Sequence, residues 1–351
     1  MKDFSNRQQE LIALRELAAR LGCNPLLVQA SSGNISTKID DVLWIKASGK
    51  WMVHSEADDF LVAVRLARAK RYLQRDRTIP EASGSSAGGV RASIETAMHA
   101  ILPQRVVVHV HSVNTIAWAV REDGPKQLSR RLLGLKWQWI PYLRSGNALA
   151  KKIGDVISRF PQTDVFVLGN HGLVVCGKDC CSAEQLLADV ESRLAVEPRS
   201  APESDFAQLG RRLPGPNWFI PRWAGVHALA TDRVSRRILS GGVLYPCQAI
   251  FLPDTILPPA RSASRELSTS NKECDLQTVR LLEEHGVLCN SHMSSAEQQM
   301  FLGLANVVQR IDASAPIRYL TASEVKGVLH GDAESYRLAA NTNCYVDTAT
   351  G

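Results

Sequence analysis

The chain has 351 residues, 45% hydrophobic and 22% charged. That is enough to bury one large core or two smaller ones, and it lies outside the composition of disordered chains. The net charge of +6 is mild, and no Lys/Arg run or basic helix stands out. Nucleic-acid partners are therefore not expected, and small anionic substrates are the class that fits.

The eight cysteines are scattered, with no CxxC pair, which reads as reduced thiols in a cytoplasmic protein. The polar stretch Met1–Gln8 lacks the apolar core of a signal peptide, and no apolar run nears the length of a membrane span. A soluble protein with no membrane partner is the expectation.

Leu11, Leu14, Leu17 and Leu21 repeat at helical spacing behind Ser5 as a cap, and Gly22 closes that helix. Asp41–Lys50 holds an alternating strand, flanked by the small-residue loops Ser31-Ser32-Gly33-Asn34 and Ala47-Ser48-Gly49. Such loops expose backbone N–H groups that wrap a phosphate, or they are ordinary turns. Arg75–Arg91 reads as a long loop, and Ser93 caps a short helix carrying Glu95 and His99 one turn apart. The strand Val106–His111 follows, then a helix over Asn114–Arg121, an aromatic strand over Trp137–Tyr142 and a helix over Ala148–Phe160.

Asp164–Gly169 and Leu173–Cys176 are strands joined by Asn170-His171-Gly172, and a helix over Ser182–Leu194 is capped by Ser182. Pro, Gly, Arg and Ser dominate Glu197–Pro221. The expected division is therefore a domain over 1–197, a linker over 198–221 and a smaller α/β region over 222–351. In that region we expect helices at Asp232–Leu239, Leu276–Glu284, Ala296–Arg310, Ser323–Gly327 and Asp332–Ala340. A strand is expected at Gln248–Leu252, with a loose tail after Asn341.

An internal parallel links His171-Gly172-Leu173-Val174-Val175-Cys176, with Ser182-Ala183-Glu184-Gln185, to His285-Gly286-Val287-Leu288-Cys289, with Ser295-Ala296-Glu297-Gln298. It fits a duplicated scaffold whose second copy lost a metal site, and it fits coincidence equally.

The chemistry concentrates on Val106–Ser112. Successive strand side chains point to opposite faces, so His109 and His111 share one. Two imidazoles at the end of an apolar strand fit a metal-ligand pair, and also two buried histidines. His171, beside a tight Gly172 turn, is the candidate third ligand. Three histidines would leave an open position, as catalytic zinc sites do. Glu95 is the nearest structured carboxylate for general acid–base work. His99, Ser112 and Asn170 are candidates to orient the ligands, with a core role for His99 as the competing reading. No GxSxG, GxxxxGK[ST] or strand-linked GxGxxG occurs, so a nucleophile elbow and nucleotide or dinucleotide cofactors have no support.

Taken in order, Gly33-Asn34-Ile35-Ser36, Ala47-Ser48-Gly49, Ser93-Ile94-Glu95, His109-Val110-His111-Ser112 and Asn170-His171-Gly172-Leu173 resemble the class II aldolase/adducin family across roughly Gln8–Leu194. The resemblance implies a three-layer α/β/α sandwich with a mainly antiparallel central sheet, assembled as a cyclic homo-tetramer. It implies Zn2+, or another divalent metal, on His109, His111 and His171. Glu95 would be the acid/base, with the phosphate of a sugar phosphate held by Gly33, Asn34, Ser48, Gly49 and Ser93.

The implied activity is a lyase (aldolase) working through a metal-stabilised enediolate. Pentulose-phosphate 4-epimerase, thioribulose-phosphate dehydratase and decarboxylase are alternatives using the same site. A non-catalytic adducin-like assembly protein is the reading from another class, and a scaffold has no need of the histidines and Glu95. Ser93-Ile94-Glu95 departs from the frequent Ser-Ser-Glu and removes one phosphate hydroxyl. The short Glu95–His109 interval resembles long-form rhamnulose-phosphate aldolases, whose following dehydrogenase domain has no fingerprint here. The second half resembles the tails of poorly characterised members. Tyr245 and Tyr336 are its candidates for the tyrosine that the family often takes from a neighbouring subunit.

Overall fold

The computed structural model describes residues 2–75, 91–252, 278–330 and 333–342. The expected loop over 75–91 and the tail after Asn341 fall largely outside them. In chain order the first half contains α1 (Lys2–Gly22), β1 (Asn34–Ile39), β2 (Val42–Lys46), β3 (Leu61–Arg65), α2 (Leu66–Gln74), α3 (Thr96–Ile101) and β4 (Val106–Val110). It continues through α4 (Val113–Ala119), α5 (Gly124–Arg131), β5 (Trp137–Ile140), α6 (Asn147–Arg159), β6 (Val165–Leu168), β7 (Gly172–Gly177) and α7 (Cys180–Leu194).

Seven strands form one sheet in the order β3-β2-β1-β4-β7-β6-β5. Every pairing is antiparallel except β5 with β6. The period-2 pattern of β4 shows how the layers arise. Val106, Val108 and Val110 pack with Leu14, Leu17 and Leu21 of α1 and Leu187 and Val190 of α7. Val107 points the other way, to Met98 and Leu102 near α3 and to Leu149 and Ile153 of α6. The sheet is thus covered on both faces, the expected α/β/α sandwich. The first helix begins at Lys2, ahead of the expected Ser5 cap. The last helix of this half is capped by Asp179, with Ser182 completing the capping box at N3, where Ser182 itself was the expected cap.

The second half contains α8 (Phe206–Arg211), β8 (Trp218–Phe219), α9 (Ala224–Thr231), α10 (Arg233–Ser240), α11 (Pro246–Phe251), β9 (Val279–Leu282), β10 (Gly286–Asn290), α12 (Ser295–Arg310), α13 (Ala322–Leu329) and α14 (Ala333–Thr342). Two sequence expectations are corrected here. The strand over Gln248–Leu252 is the helix α11, started by Pro246 in its first turn, where the missing N–H costs nothing. In place of the helix over Leu276–Glu284, Val279–Leu282 is strand β9, held by antiparallel pairing with β10, and Glu283–Glu284 begin the turn. The expected linker contains α8 and β8, and Arg199 within it donates to Asp232 Oδ2 at 2.7 Å and to Val308 O at 2.9 Å.

The small sheet has the order β8-β10-β9 with antiparallel pairings, which repeats β4-β7-β6. The chain order repeats as well: β4-α4-α5, then β6-β7-α7, beside β8-α9-α10, then β9-β10-α12. Each hairpin turns through a left-handed residue, Asn170 (φ 52°) or Glu284 (φ 66°), placed just before His-Gly. These parallels support the duplication reading over coincidence. The two halves share a core in which Val113, Ile116 and Val120, on and just after α4, pack with Leu229, Phe251, Phe301 and Leu304. Among the described residues no helix is long and apolar enough to cross a membrane. The described cysteines are all free.

Candidate metal centre

β4 carries His109 at the centre of the sheet, paired to Asn34 on β1 and Val174 on β7. His111 lies just past the strand end, and His171 at the tip of the β6–β7 turn. The three ligand nitrogens fall within 4.8 Å of one another, and the rings sit 4.9–5.1 Å apart, edge to face. All three are buried, at 0%, 6% and 4% exposure. Burial, reinforced by the neighbouring histidines, pushes His111 and His171 well below the usual imidazole range. That direction favours the neutral imidazole, the form a metal ligand requires. Gly172 makes the cluster possible, because a Cβ there would lie 2.5 Å from Val110 O.

The donor set fits a divalent cation. His109 Nδ1 donates to Leu173 O at 3.0 Å, so Nε2 is the nitrogen with the free lone pair. That Nε2 is buried and has no hydrogen-bond partner, a position that costs about 1–3 kcal/mol unless something is bound there. Glu95 Oε1 lies 3.4 Å from it, outside hydrogen-bonding geometry, and 3.7 Å from His171 Nε2. Glu95 occupies the N-cap position of α3 and is 8% exposed, and its N–H donates to Ser93 Oγ at 3.2 Å. Three imidazole nitrogens and one adjacent carboxylate are ligand types borne by zinc.

Of the loops expected to hold phosphate, Gly33–Asn34 abuts the strand that carries His109. Gly33 (φ 71°) presses on the β4 backbone, since a Cβ there would lie 2.7 Å from His109 O. Ser48 N–H donates to Arg91 O at 3.0 Å, beside the bridge between Ala47 and Ala92 that leads to Ser93. Asn34 Oδ1 accepts from the N–H of Ile35. Gly49 (φ 74°) faces α14, where a Cβ would lie 2.5 Å from Ala339 Cβ. The same helix receives Trp51 Nε1–H at Ala340 O (2.9 Å), and Ser31 Oγ–H donates to Tyr336 Oη at 3.0 Å. Tyr245 is buried and Tyr336 half-buried, and desolvation, with Cys247 adding to it, raises both phenols above their usual range.

Of the expected orienting groups, none takes the other N–H of His109. His99 Nδ1 pairs with Ser36 Oγ at 2.7 Å in the core, and Ser112 caps α4 by accepting from Thr115 N–H. Asn170 holds the His171 turn to the second half of the chain.

Sequence reasoning missed Lys46 and Cys247. Lys46, 2% exposed, donates to Ser31 O at 3.0 Å and Lys50 O at 2.7 Å, tying the two loops together. Burial brings its ammonium down to about 7, against the pull of the Glu95 carboxylate. Its placement after the apolar strand Val42–Ile45 was the available signal. Cys247 Sγ lies 3.4 Å from His111 Nδ1 across 136 positions of sequence, and no local pattern announces it.

Comparison with known proteins adds the family. The chain is 29% identical over 145 residues to the uncharacterized oxidoreductase YuxG of Bacillus subtilis (strain 168). That match covers 39% of this chain and 21% of the relative, so the chain matches about a fifth of that relative's length. The N-terminal class II aldolase domain of a conserved protein from Thermoplasma acidophilum is similar at 24% identity and TM-score 0.44, over 52% of this chain and 90% of that one. L-fuculose-1-phosphate aldolase from Thermus thermophilus is similar at 17% identity and TM-score 0.38, over 54% and 93%. The model of the class II aldolase and adducin N-terminal domain matches residues 9–197, more than half of the chain and every candidate site residue in its first half. The chain belongs to the class II aldolase and adducin N-terminal domain family.

Proposed function

We propose that this chain is a metal-dependent, class II aldolase-type lyase that breaks or forms a C–C bond beside the carbonyl of a sugar phosphate. The observation that carries the reading is Glu95 Oε1 at 3.4 Å and 3.7 Å from His109 Nε2 and His171 Nε2, within a buried imidazole triad. A divalent cation on His109, His111 and His171, with Zn2+ the best match to the donor set, supplies Lewis-acid stabilisation of the oxygen charge that develops as the bond breaks.

Glu95 carries the proton to and from the reacting carbon through its Oε1. The burial of the site excludes bulk water, which protects a carbanionic carbon from stray protonation and strengthens each charge interaction. Gly33, Asn34, Ser48, Gly49 and Ser93 hold the phosphate in this proposal, with buried Lys46 fixing the spacing of their loops. Tyr336, in contact with Ser31, is the better placed of the two tyrosines to serve a leaving oxygen. Assembly as a homo-tetramer belongs to the same proposal and is tested by light scattering.

The test is a panel of ketose 1-phosphates assayed for release of dihydroxyacetone phosphate and an aldehyde. Activity should vanish on chelation and return with Zn2+. Glu95→Gln should lose on the order of 10²–10⁴-fold in turnover while keeping its metal. Full activity in Glu95→Gln would refute the acid–base role, and epimerised, dehydrated or decarboxylated product without cleavage would replace the lyase reading.

A further inference from the structure

Two of the three triad histidines are held from the second half of the chain. An imidazole that ligates through one nitrogen must donate the N–H of the other, and that partner fixes both tautomer and ring orientation. His109 finds its acceptor inside the first half, at Leu173 O. The ring of His111 instead meets Cys247 Sγ, in the first turn of α11.

His171 is held one residue earlier. Asn170 places the chain at φ 52°, and its Nδ2 donates to Leu244 O at 2.8 Å and to Arg318 O at 2.7 Å. Its Oδ1 accepts from Arg318 Nη1 at 3.1 Å. All three side-chain contacts of Asn170 therefore reach the second half. The elements that receive them are themselves fixed. Leu244 N–H donates to Gln248 Oε1 at 2.8 Å, closing the turn that carries Cys247. Arg318 donates to Glu324 Oε1 at 2.6 Å, lies 5.2 Å over the Tyr142 ring, and donates its own N–H to Val120 O.

We infer that the second half of the chain is a positioning element of the metal centre, with Cys247 setting the ring of His111 and the Leu244–Arg318 clamp on Asn170 setting the turn of His171. The inference rests on the metal reading proposed above. It gives the repeat a role: a copy without its own histidine cluster among the described residues has become the support of the copy that keeps one.

The test measures Zn2+ affinity of the full chain by competition with a chromophoric chelator, together with melting of the metal-free protein. Cys247→Val replaces the thiol with a somewhat larger apolar side chain and removes the acceptor. Asn170→Gly keeps the positive φ accessible and removes the clamp. Each should weaken Zn2+ binding about 10–100-fold, and Cys247→Ser, which restores an acceptor, should return toward the wild-type value. If all three variants lower the metal-free melting temperature and leave Kd unchanged, the contacts are packing between halves and the inference is overturned. A thiolate charge-transfer band in the Co2+-substituted wild type that disappears in Cys247→Val would make Cys247 a ligand and also overturn it. A wild-type chain that takes up no Zn2+ is a separate result, because it refutes the metal reading itself.

Discussion

Replacing Gly172 by alanine adds one methyl group at the point where the three imidazoles meet. Its Cβ would lie 2.5 Å from Val110 O, 3.3 Å from His109 Cε1 and 3.4 Å from His111 Cδ2. Gly172 is not among the glycines of positive φ, so the cost is steric rather than conformational. Carbon–oxygen contact is relieved only when the β7 end moves away from β4 by on the order of 1 Å. Overpacking of that kind costs about 1–3 kcal/mol in stability. The same displacement carries His171 away from the other two ligands, and zinc–nitrogen bonds of about 2.0–2.1 Å leave little slack. Taking loss of a single supporting contact as the floor, Zn2+ affinity should fall at least ~10–100-fold, or about 1.4–2.8 kcal/mol. Chelator competition reads the affinity, and urea unfolding of the metal-free protein reads the stability. Gly215→Ala, where a Cβ meets nothing within 4 Å, is the control. A Gly172→Ala protein with wild-type Zn2+ affinity would refute the claim that the β4–β7 spacing builds the triad.

Further predictions concern the shared core and the buried cation. Phe301 of α12, fully buried in the core that the second half shares with α4, should cost about 3–5 kcal/mol as alanine. A single cooperative unfolding transition is expected in that variant, and loss of the second half's signal alone would contradict the shared core. Lys46 has a folded pKa lowered to about 7. Between that value and its unfolded value near ~10.4 the unfolded chain binds more protons, so this group makes stability rise with pH. The wild type should therefore gain stability over Lys46→Met as pH goes from about 7 to about 10. Urea titrations at the two ends check this, and a gain of the opposite sign would refute the buried-ammonium account.

The histidine cluster was largely legible because its signals are local. Strand alternation puts His109 and His111 on one face whatever the rest of the chain does, and a glycine turn brings His171 beside them. The long-range contacts around that cluster were not legible. Cys247 meets His111, and Arg318 meets Asn170, only after the second half has packed on α4, and sequence spacing carries no record of such distances. The two corrected elements fail for related reasons. Gln248–Leu252 is a short apolar run with no periodicity to separate strand from buried helix. Pro246 and the surrounding core select the helix. Leu276–Glu284 sets Leu276, Val279 and Leu282 three residues apart, and pairing with β10 overrides that local preference.

Metal content tests the central claim most directly. The chain purified without chelators, or reloaded with Zn2+ and desalted, should hold about one equivalent of metal, and a variant with His109, His111 and His171 all replaced by alanine should hold essentially none. A wild-type chain with under ~0.1 equivalent and no gain on Zn2+ addition, or a triple variant that binds as the wild type does, would contradict the assignment of this site.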